Sequence, residues 1–105
     1  MSAPLKSVQV RNGGLYLSAS LCDHCFSGLE TVALMRRDDD LLVFAVRHRG
    51  AGGYLLKRRN SAGDRVVLAP DFFREHGMDD DVERECAAHW ISTDAILMIP
   101  QVFVN

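Results

Sequence analysis

Residues 54–77 read YLLKRRNSAGDRVVLAPDFFREHG, and residues 7–28 read SVQVRNGGLYLSASLCDHCFSG. Each stretch opens on a short β-prone run and meets an Arg-Asn step, Arg59-Asn60 or Arg11-Asn12. Each then passes a glycine-containing turn and resumes as a second β-prone run, Arg65-Val66-Val67-Leu68 or Leu15-Tyr16-Leu17. Asn and Gly accept the positive φ that tight turns need, so both stretches predict a hairpin. A short helix follows in each. Pro70 suits the first turn of one, and Ser18 or Ser20 can cap the other. Gly28 and Gly77 stand where a C′ glycine would end helices of about two turns. Leu21, Cys22 and Cys25 then match Phe72, Phe73 and His76 on the buried face.

The parallel runs on. Thr31–Arg37, a turn at Asp38-Asp39-Asp40 and Leu41–Val46 match Val82–Trp90, a turn around Ser92-Thr93-Asp94 and Ala95–Pro100. Val82–Trp90 is the ambiguous segment. Asp79–Asp81 could cap a helix there, whereas Val82, Cys86, Ala88 and Trp90 also alternate as one face of a strand. The repeat favours the strand. The expectation is a mainly β fold with two short helices: two β-β-α-β-β halves, 7–46 and 54–100, joined by a Gly-rich linker at 49–53. Neither half alone buries enough apolar surface, so the two should interlock as one pseudo-two-fold, barrel-like domain spanning 1–105.

Gly63-Asp64-Arg65-Val66-Val67-Leu68-Ala69-Pro70, followed by Phe72-Phe73-Arg74-Glu75-His76-Gly77-Met78, resembles the swapped-hairpin family of the AbrB, SpoVT and MraZ type. Ala19 stands in the first half where Pro70 stands in the second. The resemblance implies a DNA-binding transcription regulator or antitoxin-like protein, built as a dimer of single copies or as a tandem double copy.

Composition narrows the class. With 105 residues, 48% hydrophobic and 25% charged, the chain has the balance of one soluble domain. No apolar run is long enough to span a membrane, and the first ten residues lack a signal peptide's apolar region, so the expected address is cytoplasmic. Three cysteines are too few for a disulfide framework. The net charge of −2 hides a partition: residues 1–46 carry −1, residues 47–65 carry +5, and residues 66–105 carry −6.

That basic middle supplies the candidate site. Arg47, Arg49, Lys57, Arg58, Arg59 and Arg65 could neutralise phosphates of double-stranded DNA, although Lys57 and Arg59 should face one way and Arg58 the other. The alternative is an accessory or scaffolding module that presents a surface to a protein partner, a second copy included. A zinc site is the runner-up chemistry, with Cys22, Cys25, Cys86 and His89 as tetrahedral ligands. Cys22 aligns with Phe73, and Cys86 and His89 point apart on a strand, so buried, metal-free thiols and no cofactor are expected. The glycines at 50–53 form no phosphate loop, and the two Asp runs lack calcium-loop spacing. Cys22 and Cys25 also have the spacing of a redox Cys-x-x-Cys, but their surroundings read as hairpins rather than a thioredoxin-like βαβ unit, and nucleophilic catalysis has no local support, so a non-enzymatic role is expected.

Overall fold

The structure is a computed structural model that describes residues 6–46 and 53–104. Asn12 and Gly13 take φ of 50° and 70°, so a two-residue turn with the hand of the strand twist closes the first hairpin. That hairpin joins β1 (Lys6–Arg11) to β2 (Gly14–Leu17), with Val10 opposite Leu15. Helix α1 (Ala19–Cys25) follows, then β3 (Thr31–Arg37) and β4 (Asp40–Ala45). The second half repeats the order as β5 (Tyr54–Arg58), β6 (Arg65–Leu68), α2 (Pro70–Glu75), β7 (Arg84–Ile91) and β8 (Ile96–Ile99). Residues 84–91 are therefore strand rather than helix, and Val82 and Glu83 precede it. No helix among the described residues is long and apolar enough to cross a membrane.

The eight strands close into an antiparallel barrel in the order β1-β2-β6-β5-β3-β4-β8-β7, with β7 pairing back to β1. Within a half, only the two strands of each hairpin pair. Every other pairing crosses between halves: β1 with β7, β2 with β6, β3 with β5 and β4 with β8. Exchanging each strand with its counterpart in the other half leaves this set of pairings unchanged. The halves are interlocked, each hairpin held between strands of the other half. Inward residues meet across the crossings, Leu15 opposite Val67 and Val43 opposite Leu97, all fully buried.

The helices close the barrel with the residues expected of them. Leu21 and Cys22 of α1, and Phe72 and Phe73 of α2, are buried. The Ser18 hydroxyl accepts the Leu21 N–H at 3.2 Å, capping α1. Gly77 ends α2 at φ 83°; its own N–H bonds the Arg74 carbonyl while the Met78 N–H reaches that of Phe73, the paired bonds of a Schellman end. Gly28 does not play that part. Phe26 is the C-cap of α1, and Gly28 sits two residues on, in a turn closed by the Leu29 N–H on the Phe26 carbonyl.

Each hairpin turn is seated on the helix N-terminus of the other half. Gly13 accepts the Ala69 N–H at 2.9 Å, just ahead of α2. Asp64 accepts the Ala19 N–H at 2.8 Å, at the start of α1. Beyond β8 the chain adds a turn in which Val102 and Phe103 are buried, the Phe103 ring lying against Phe72, Phe73 and His76. The 7–46 and 54–100 boundaries omit this plug. The linker expected at 49–53 lies outside the described residues except for Gly53.

Candidate nucleic-acid interface

Strand alternation assigns the outer surface of β1, β2, β6 and β5. Val8, Val10, Leu15, Val67 and Leu56 point inward and are buried, so Gln9, Arg11, Tyr16, Leu68, Leu55 and Lys57 point out. Gln9, Tyr16, Val66 and Lys57 form one row straight across the four strands. Arg11 lies two residues further along β1, the next outward position, and Arg59 follows the end of β5. The Arg11 guanidinium carbon stands 4.5 Å from the Tyr16 ring centroid, and that of Arg59 stands 5.0 Å from it. Two cations from different halves thus share one aromatic ring, whose electron-rich face attracts them and reduces their freedom. The outward strand positions carry no carboxylate. Arg11 Nε is buried without a hydrogen-bond partner.

The sequence-predicted cations divide. Lys57 and Arg59 belong to this face. Arg58 does not: its guanidinium donates to the Asn60 and Ser61 carbonyls at 3.0 Å each, bracing its own loop. Arg65, opposite Arg58 and half-buried, donates to the Leu56 carbonyl at 3.3 Å and lines a pocket of about 220 Å³ with Cys22, Asp23 and Glu30. Arg47 and Arg49 lie outside the described residues. Arg11 was missed, being counted only as the opening of a turn. The Arg-Asn step shared with Arg59 was the signal that could have found it.

The loop carrying Arg59 is held rigid from within. Asp64 accepts from the Asn60 side-chain amide at 3.0 Å, and Asn60 Oδ1 accepts the Asp64 N–H at 3.1 Å. The Asn60 amide and the Ala19 N–H, both donating to it, hold the Asp64 carboxyl below its ordinary value. Its oxygens are thereby committed to the loop and to α1.

Zinc ligation has no geometric support. Among the described residues no three His, Cys, Asp or Glu side chains are close enough to share a metal. Cys86 and His89 are three apart on β7 and face opposite sides, as expected of a strand. All three thiols are free. Burial pushes Cys22 and Cys25 up to about 11 and raises Cys86 as well, which keeps them protonated and poor nucleophiles at neutral pH.

Comparison with protein-family models gives no match, and neither does comparison with curated proteins or with solved structures.

Proposed function

We propose that this barrel is a non-enzymatic DNA-binding regulator of the swapped-hairpin kind, contacting duplex phosphates through the outer face of β1, β2, β6 and β5. The observation that carries the reading is the convergence of Arg11 and Arg59 on Tyr16, beside Lys57, on four strands whose outward positions carry no carboxylate. Guanidinium groups fixed against a ring lose less freedom on meeting a phosphate than free side chains would. The interlocked hairpins and the resemblance of residues 63–78 to the AbrB-type pattern support the same reading. Phosphate contacts give affinity with little sequence selectivity, so a regulator of this kind needs further base-edge contacts for choice of site.

The test is fluorescence anisotropy of a labelled duplex titrated across salt concentrations. Three phosphate contacts give a log–log salt slope of about −2.7. Arg11→Gln, Lys57→Gln and Arg59→Gln should each reduce that slope by about one, and the triple variant should abolish binding. Arg58→Gln should leave the slope unchanged. Absence of salt-dependent binding by the folded wild-type chain refutes the proposal, as does an effect of Arg58→Gln equal to that of the triple variant.

A further inference from the structure

Building on the DNA-binding reading, we infer that Leu55 and Leu68 form a wedge that enters the minor groove of the bound duplex and unstacks a pyrimidine–purine step. Leu56 pairs with Val67 and Lys57 with Val66, so the same register sets Leu55 beside Leu68 on adjacent strands. Leu55 is 61% exposed and Leu68 51%, more than any other large hydrophobic side chain among the described residues. Both stand on the outer face that carries Arg11, Lys57 and Arg59. Gly14 is opposite Leu68, and a Cβ on it would meet Leu68 Cδ2 at 3.2 Å, Tyr16 Cε1 at 3.3 Å and Val66 Cγ2 at 3.3 Å. Those three side chains close over the glycine, which backs Leu68 on one flank and leaves its other flank open.

Charge around the pair selects an anionic partner. Arg11 stands opposite Gly14, two strands from Leu68 in the same row, and Lys57 is the next outward residue from Leu55 along β5. On its other side Leu55 is opposite the uncharged Thr31. Beyond β1 the sign changes: Glu83 and Glu85 are exposed, and Glu85 of β7 is opposite Gln9. Phosphates are repelled there and drawn towards β6 and β5, which sets the duplex over the leucines.

The size of the pair narrows the partner further. A myristoyl chain has more apolar carbon than two leucines, and by itself it holds a protein on a bilayer only marginally. A standard protein interface buries about 800 Å² on each partner, far more than two half-exposed side chains supply. A base step asks for no more than this, since minor-groove proteins part neighbouring bases with single apolar side chains such as Leu. Neighbouring strands lie about 4.8 Å apart, so the two leucines fit side by side in a groove about 6 Å wide. Unstacking bends the duplex and brings more phosphates to the face. Pyrimidine–purine steps unstack most readily, so the wedge selects sites by deformability, without base-edge hydrogen bonds.

Duplexes carrying 2-aminopurine at a central TA step test the wedge. Binding of the full wild-type chain should raise the probe's fluorescence several-fold. The TA duplex should bind roughly tenfold more tightly than one with a stiff A-tract at its centre. Leu55→Ala combined with Leu68→Ala should lose both the fluorescence rise and the preference, while the log–log salt slope stays at about −2.7. Leu55→Gln alone takes the place of the double variant if that fails to fold. Met35→Ala, on the opposite side of the barrel, should change neither readout. Salt-dependent binding with flat fluorescence, or a rise that survives in the leucine variants, overturns the wedge and leaves the phosphate reading standing. Tighter binding to phosphatidylserine vesicles than to the TA duplex assigns the face to lipid and overturns it too. Absence of duplex binding at every salt concentration overturns both readings.

Discussion

Replacing Gly13 by alanine tests the interlock where it is tightest. Gly13 has φ of 70°, and a Cβ there would lie 2.7 Å from Pro70 Cβ and 2.8 Å from Pro70 Cα. Left-handed backbone alone costs an alanine about 1–2 kcal/mol. The overlap adds the cost of displacing the start of α2, roughly 1–3 kcal/mol as for other overpacked sites. The sum is about 2–5 kcal/mol, a large part of a small domain's total stability. Gly28→Ala is the control, because Gly28 has φ of 74° and nothing within 4 Å of its Cβ position. Urea unfolding of both variants, with the wild-type slope retained, separates strain from collision. Gly13→Ala should be the less stable by roughly 1–3 kcal/mol, or by some 4 °C or more in Tm. Equal losses in the two variants would mean that the turn is not seated on α2, and the reciprocal docking would fail.

Three further outcomes are expected. Phe103→Ala, which empties a site against Phe72, Phe73 and His76, should cost about 3 kcal/mol in chemical denaturation. The Asp64 carboxyl is held low, so its bonds stabilise the fold above the ordinary value of 3.8 and are lost as pH falls through the lower folded value; Asp64→Asn should flatten stability in that acid window. The buried Cys22 thiol should react with an aromatic disulfide reagent at pH 8 only as fast as the protein opens, and the half-buried Cys25 faster; both are raised from 9.0 to about 11, so the stability they confer should decline as pH rises from 9 towards 11.

The parts of the fold legible in the sequence are those written in local chemistry. The Asn12-Gly13 turn, the Ser18 cap, Pro70 at the head of α2 and the apolar pairs Leu21-Cys22 and Phe72-Phe73 all stand where propensity and periodicity put them. The strand at 84–91 was legible only through the repeat, since Asp79–Asp81 and the residues after it have helical propensity and the pairings to β1 and β8 override it. Phe103 was not legible: it lies in a turn with no period, and its burial depends on meeting α2. The candidate site was half legible. Alternation puts Lys57 on the outer face, but nothing local reveals that Arg58 bends back to its own loop, or that Arg65 is drawn to the Leu56 carbonyl. Arg11 joins Arg59 only because β2 brings Tyr16 between their hairpins.

A barrel closed by cross-half pairings has no edge, yet each half taken alone would be nearly all edge. Residues 6–46 would form two hairpins whose four strands each lack a neighbour. Exposed strand edges of that kind recruit whatever chain offers the missing hydrogen bonds. All eight pairings of the barrel lie outside residues 47–52, so cutting the chain there would spare every one of them. What the covalent joint supplies to strand pairing is local concentration, which for a short tether is on the order of millimolar. Two fragments mixed near that level should reassemble the closed ring. A first-half fragment made alone, with only copies of itself for company, has its best chance of closing a ring by standing in for its own missing partner.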